Sequence, residues 1–239
     1  MSYTSKFIDR EKIGADVMLI RVQKPEGFEF LAGQHTTITV PDLGFHDERG
    51  LRRTFSMASS PLEEDLLFAM KMSESALKRT IAAMAPGTAI TLEEPGGTLV
   101  LPKETEVPLV FLAGGVGITL FRSLVRYSTD AGTGHSITLF YSSQRPEETP
   151  FLAELQHMPT QNPRLAAIIT MTRVGDDRSR WSGLTGRVNA DMIKERCKTW
   201  ESAAYYVAGP PGMTAALNET LQSMNIPAER IKTELFAGY

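Results

Sequence analysis

The alternation of apolar and polar positions changes character near residue 105. Before it, short runs with a two-residue period are separated by turn residues. Asp16–Val22 is one such run, stopped by Lys24-Pro25-Glu26-Gly27. Phe28–Leu31 is a second, shorter one, and Gln34–Val40 is a β-branched third, closed by Pro41-Asp42. Arg52–Ala58, Leu66–Met72 and Thr88–Glu93 continue the series. A single helix is predicted over Ser75–Met84, with Leu77, Ile81 and Met84 on one side and Pro86-Gly87 closing it. Many short strands, one helix and no strand–helix alternation predict a small antiparallel β-barrel.

After the stretch 94–108, rich in Pro, Gly and charge, the pattern becomes alternating. Leu109–Ala113 is an all-apolar run of strand length, followed by Gly114, Gly115 and Gly117 and then by a helix from Thr119. Ser136–Tyr141 is a strand before a helix over Glu147–His157, and Ala166–Thr172 a strand before the polar loop Arg173–Gly186. Asn189 is placed to cap a helix reaching Cys197. Ala204–Ala208 leads through Gly209-Pro210-Pro211-Gly212 into a helix over Met213–Met224, and Ile231–Phe236 is the last strand. This order predicts a doubly wound α/β domain with a parallel sheet. The two predicted domains are residues 1–104 and 105–239, with the boundary at Lys103–Val107.

Composition narrows the classes. The chain has 239 residues, 42% of them hydrophobic and 22% charged, which suits a protein with a real core. A net charge of −3 gives no reason to expect nucleic acid or an anionic membrane surface. No apolar run reaches membrane-spanning length and the first ten residues lack the apolar core of a signal peptide. The single cysteine, Cys197, suits a cytoplasmic location and is too few to ligate an iron–sulfur cluster within this chain. His35, His46, His135 and His157 are scattered, read as structural or surface residues, and no metal is expected.

Three turns follow strand ends on one edge of the predicted sheet: Gly114–Thr119, Ser142–Arg145 and Gly209–Met213. Ligands bind at that edge in such sheets. Glycines permit close backbone approach, and a helix start offers free N–H groups to an anion. Ser142, Ser143 and Arg145 have the chemistry to hold a phosphate. In the first half, Arg53-Thr54-Phe55-Ser56 sets an arginine fork among hydroxyl groups, another phosphate-holding combination. Taken singly, each of these reads equally well as a packing turn or a solvated edge.

Together, RTFS, GGVGIT, AGPPGM and the closing ELFAGY resemble the ferredoxin–NADP⁺ reductase-like superfamily, in order and over essentially the whole chain. The resemblance implies a flavin-binding barrel followed by a pyridine-nucleotide domain. Arg53, Thr54, Phe55 and Ser56 then stand at the flavin motif, with Arg53 gripping a flavin phosphate and Ser56 at the reactive N5. Gly33-Gln34-His35 resembles the strand start that precedes that motif in relatives. Met70, Lys71, Met72 and Ser73, with Ser75, Ala76, Leu77 and Lys78, resemble the strand, loop and helix start holding the pyrophosphate and adenosine, which implies FAD over FMN. Gly114, Gly115, Gly117 and Thr119 resemble the nucleotide loop, with Thr119 approaching the nicotinamide. Gly209, Pro210 and Met213 resemble the second nucleotide loop, and Ser143 and Arg145 offer contacts to the nucleotide phosphate. Glu234 and Phe236 match an acid near N5 and an aromatic packing at the flavin ring. The sequence departs from the pattern at Phe55, Leu120 and Ala208, where relatives carry Tyr, Pro and Cys.

The implied activity is an NAD(P)H-dependent flavin oxidoreductase, with Ser56, Thr119 and Glu234 as catalytic residues and electrons leaving to a separate acceptor. That acceptor is a ferredoxin or flavodoxin, an oxygenase component, or a small molecule such as free flavin or a quinone. Arg145, Arg173 and Arg180 lean the nucleotide toward NADPH. The rivals are a flavin-binding redox sensor or partner-binding module without turnover, and a dinucleotide dehydrogenase without flavin.

Overall fold

The computed structural model describes residues 1–174 and 181–236. The all-apolar run forms β7 (Leu109–Gly114), and its side chains alternate between two cores. Leu109, Phe111 and Ala113 pack with Leu120, Phe121, Leu124 and Val125 of α2 (Ile118–Asp130). Val110 and Leu112 pack instead with Ile193 of α4 (Ala190–Arg196) and with Leu217 and Leu221 of α5 (Pro211–Ser223). A strand covered on both faces has no polar positions to spare, which is why its sequence shows no alternation.

Parallel ladders join β7 to β8 (Ile137–Ser143) and to β11 (Ala204–Gly209). Outward from β8 lie β9 (Leu165–Met171) and β10 (Leu184–Thr185), and β12 (Ile231–Leu235) lies beyond β11. Strand order therefore reverses between β7 and β11, the position where such sheets open a crevice.

The first half is a six-stranded sheet in the order β4 (Arg52–Ser56), β3 (His35–Thr39), β6 (Ala89–Glu93), β1 (Ser2–Lys12), β2 (Val17–Gln23), β5 (Asp65–Lys71). It is antiparallel and barrel-like, but no ladder closes it. The two ends come together just past β4, where the Ala58 N–H donates to the Leu67 carbonyl at 2.7 Å. Its core gathers Phe7, Ile20, Ile38, Phe68, Leu92 and their neighbours, with Leu77 and Ile81 of α1 (Ala76–Ala83).

Four local expectations change. The strand β1 was not anticipated because Ser5 occupies one of its core-facing positions, its hydroxyl donating to the Gln23 carbonyl. Phe28–Leu31 is not a strand. Phe28 and Phe30 do alternate inward, but the backbone is satisfied by turns, with Phe28 N–H on Pro25 and Gln34 N–H on Leu31. The helix expected over Glu147–His157 is split into a 3-10 turn at Pro146–Glu148 and α3 at Leu152–His157. Pro150 has no N–H to continue a helix, and Phe151 sits at φ 58°. Within the polar loop, Leu184–Thr185 pairs in parallel with Thr170–Met171.

Candidate functional site

Two cavities meet at Lys71, which lines both. The first, of about 830 Å³, is built by both halves of the chain. Its walls are β4 from Arg53 to Ser56, β5 from Ala69 to Lys71, Ser75, Leu77 and Lys78 at the start of α1, Thr119 of α2, and Lys232 to Phe236 in and beyond β12. The second, of about 770 Å³, lies at the sheet's switch point, between Gly114–Val116, Ser142–Gln144 and the start of α5 with Pro210, Gly212 and Met213.

At the centre of the first cavity the Ser56 hydroxyl donates to Glu234 Oε1 at 3.0 Å, joining positions 178 residues apart. Burial pushes the Glu234 carboxyl above the ordinary range, and the Ser56 hydrogen bond and nearby His35 offset this only in part. The folded state thus binds the Glu234 proton more tightly than the unfolded state does. Its contribution to stability is full below the unfolded pKa and is lost as pH rises through the folded one. Glu234→Gln removes that loss. Its melting temperature is expected to match the parent near pH 4 and to exceed it by a few degrees at pH 8. Equal melting temperatures at both values would contradict this.

The far end of the cavity is cationic. The Arg53 Nη1 donates to the carbonyls of Arg49 and, at 2.6 Å, Arg52, while its Nη2 is buried without a partner. Arg49 and Lys78 line the same wall. Lys78 is 9% exposed, and burial together with Arg49 and Arg53 holds its pKa below the ordinary lysine range. Asp47 is the carboxylate nearest this end, accepting from the Ala76 N–H at 2.6 Å and the Arg49 N–H at 2.8 Å. Three cations against one carboxylate, with a guanidinium nitrogen left open, fit a phosphate or diphosphate.

Gly114 and Gly117 stand in close packing contacts. A Cβ on Gly114 would lie 2.0 Å from Met213 Sδ, and one on Gly117 would lie 2.5 Å from the Ala208 carbonyl oxygen. These glycines let the turn after β7 pack on the junction between β11 and α5. Gly115, at φ +53°, faces open space on the wall of the second cavity.

The structure gathers most of the expected residues. Arg53, Thr54, Phe55, Ser56, Met70, Lys71, Ser75, Thr119, Glu234 and Phe236 line the first cavity, and Gly114, Gly115, Ser143, Pro210 and Met213 the second. Others need correction. Met72, just past the end of β5, is off both walls and packs on the first core. The Ala76 N–H is already taken by Asp47, and Ser75 makes no side-chain cap. The Thr119 hydroxyl donates to the Val116 carbonyl at 2.9 Å, leaving only its lone pairs for a ligand. Gly117 and Gly209 lie behind the loops as packing residues. Arg145 is exposed and off the cavity wall, where its carbonyl accepts from Glu148 N–H and Thr149 Oγ1. Arg180 lies outside the described residues. Among the wall residues that went unread are Arg49, Arg187, which joins Ser143 and Thr172 in the second cavity, and His35, taken for a structural or surface histidine. Of the departures from the pattern, Leu120 and Ala208 are fully buried, and Phe55 is half-buried on the wall of the first cavity.

A barrel-like antiparallel sheet and a doubly wound domain sharing one cavity define the ferredoxin–NADP⁺ reductase-like fold, and this chain has it. Residues 111–219 match the oxidoreductase NAD-binding domain. The chain is similar to the flavohemoprotein of Deinococcus radiodurans, 25% identical over 208 residues, covering 85% of this chain and 51% of that protein. It is also similar to the reductase component of propane 2-monooxygenase from Rhodococcus jostii, 23% identical over 234 residues, covering 95% of this chain and 62% of that one. Among solved structures, a ferredoxin NADP⁺ reductase from Neisseria gonorrhoeae with bound FAD and NADP superimposes with a TM-score of 0.80 at 22% identity, over 98% of both chains. The chain spans about half the length of the curated flavohemoproteins it matches.

Proposed function

We propose that this chain is an NAD(P)H-dependent flavin oxidoreductase that holds FAD in the first cavity and the pyridine nucleotide in the second. The Ser56–Glu234 bond carries this reading, because it joins a barrel strand and the last strand of the α/β half at one shared cavity wall. The chemistry supplied by a bound flavin is hydride acceptance and onward release of electrons. Arg53, Arg49 and Lys78 would hold its phosphates. Ser56, oriented by Glu234, presents a hydroxyl to the reacting edge, and Glu234 is the group able to carry a proton there. Phe55 and Phe236 supply apolar walls for a ring. The glycine loops, packed together, would place the nicotinamide beside Thr119. Holding two reactants in register in this way can remove roughly 7–11 kcal/mol of a barrier.

Arg187 beside Ser143 favours NADPH, since a guanidinium and a hydroxyl suit a 2′-phosphate. Of the two acids on that wall, Asp16 is neutralised by Lys71 at 3.0 Å, and Glu148 is left. The acceptor is a separate electron carrier, an oxygenase component or a small molecule. Among the described residues no helix is long and apolar enough to cross a membrane, and the lone Cys197 supports a cytoplasmic location.

Anaerobic mixing of the FAD-loaded chain with each reduced nucleotide tests the proposal. The flavin band is expected to bleach with both, and kcat/KM to favour NADPH by about tenfold, the worth of one added charge-assisted contact. A flavin that stays yellow with both nucleotides would favour a non-catalytic redox sensor. A chain that takes up no flavin would revive the plain dehydrogenase.

A further inference from the structure

Arg122 lies one turn along α2 from Thr119 and is 6% exposed. Three of its four side-chain hydrogen bonds knit the two halves together, and the fourth ties it to α3 of its own half. Its Nη1 donates to the Ala58 carbonyl at 2.7 Å and to Glu63 Oε2 at 2.9 Å, its Nη2 to Glu63 Oε1 at 3.0 Å, and its Nε to Glu154 Oε2 at 2.8 Å. Ala58 follows Ser56 by two residues, so the guanidinium holds the backbone that carries the cavity's central hydroxyl. The next residue repeats the arrangement. Ser123 Oγ donates to the Ser59 carbonyl at 2.6 Å and accepts from the Gly33 N–H at 3.3 Å.

The partners are themselves fixed. The Glu63 carboxylate accepts from the Ser60 N–H at 2.6 Å, and Lys24 holds the Glu63 carbonyl at 2.6 Å. The Phe151 ring lies over the guanidinium at 5.2 Å, from a backbone at φ 58° that a bulky residue adopts only at a cost. Arg126, on the next turn of α2, adds a second positive charge toward Glu63 and Glu154.

A buried ion pair of this kind is a poor source of net stability, because desolvating the charges offsets their attraction. What a forked, many-partnered guanidinium does supply is one fixed geometry. Here it links the segment behind Ser56 to the helix turn behind Thr119. Displacements of about 1 Å at a reacting centre cost on the order of 100-fold in rate. Taking the proposed oxidoreductase reading as given, we propose that Arg122, assisted by Ser123, is the positioning residue that sets the flavin-to-nicotinamide distance. It touches neither cofactor cavity.

The test uses the full chain loaded with FAD, followed by anaerobic rapid mixing with NADPH. The variants are Arg122→Met, Arg122→Lys, Glu63→Gln and Ser123→Ala. The readouts are the bleaching rate at saturating nucleotide, the dissociation constants of FAD and NADP⁺, and the long-wavelength charge-transfer absorbance between stacked rings. Arg122→Met is expected to lower the saturated rate about 100-fold and to weaken the charge-transfer band, with both dissociation constants within about threefold of the parent (a shift under 1 kcal/mol). Arg122→Lys restores part of the rate, and Ser123→Ala and Glu63→Gln show smaller losses of the same kind. An unchanged saturated rate, or a rate that falls only as FAD is lost, overturns the proposal. If Arg122→Met does not fold, Ser123→Ala and Glu63→Gln decide by the same criteria. A parent chain that binds FAD yet never bleaches removes the oxidoreductase reading, and the proposal with it. A bleaching parent with an unaffected Arg122→Met overturns the positioning role alone.

Discussion

Arg53→Ala is expected to leave the purified protein colourless. The Arg53 Nη2 is buried with no partner, and its Nη1 is spent on backbone carbonyls, so the open nitrogen is the donor waiting for an anion. A hydrogen bond to a charged group is worth about 1.5–3 kcal/mol, so losing the two that the Nη2 hydrogens can make weakens FAD binding by roughly 100- to 10,000-fold. The same substitution relieves a desolvated charge that burial already disfavours, and the flavin-free chain is expected to melt no lower than the parent. Flavin-to-protein ratio, FAD affinity and melting temperature are the measurements. A fully yellow Arg53→Ala protein would refute the assignment.

Ser56→Ala is expected to keep its flavin and lose its rate. The Ser56 O–H, which donates to the Glu234 carboxylate, is released to the reacting edge once Glu234 is protonated, and removing one preorganised donor there costs on the order of 100- to 1000-fold. Phosphate contacts by Arg53, Arg49 and Lys78 are untouched, so FAD affinity changes little. The Ser56 hydroxyl also steadies the Glu234 carboxylate and draws its pKa down. Without it that carboxyl titrates at still higher pH, and any acid limb in the rate profile moves upward with it. Stopped-flow reduction across pH measures both effects. An unchanged rate, with or without a shifted profile, would remove Ser56 from the reacting edge.

The sequence was readable wherever one physical demand set a whole segment. The run Leu109–Ala113 had to be apolar because helices cover both faces, and Gly114 and Gly117 had to lack a side chain because Met213 and the Ala208 backbone pack against them. Asn189 was legible as a cap, and its side chain does accept from the Met192 N–H at 2.9 Å. Legibility failed where a distant partner supplied what the local sequence lacked. β1 hides a core position behind Ser5, whose hydroxyl is satisfied by Gln23. The alternation of Phe28 and Phe30 imitates a strand although turns take up the backbone donors.

The site divided along the same line. Residues in compact motifs, such as Arg53–Ser56 and Gly114–Gly115, could be read. Arg49 could not, because it stands in a polar stretch before β4 and declares its role only when Arg53 and Lys78 share a cavity wall with it. Arg187 was hidden in a polar loop until β10 paired with β9 and carried it to Ser143. Arg145 was the arginine closest in sequence to Ser143, but its backbone starts a 3-10 turn and its side chain stays in solvent.

Two cofactors held by opposite halves so that their rings touch is the central claim, and a single absorbance titration tests it. The cofactor-free chain is titrated first with FAD and then with NADP⁺. The account predicts stoichiometric uptake of a yellow chromophore, followed by a saturable perturbation of the flavin band as the nucleotide ring arrives beside it. A chain that never turns yellow, or a flavin band indifferent to saturating NADP⁺ and NAD⁺ alike, would contradict it.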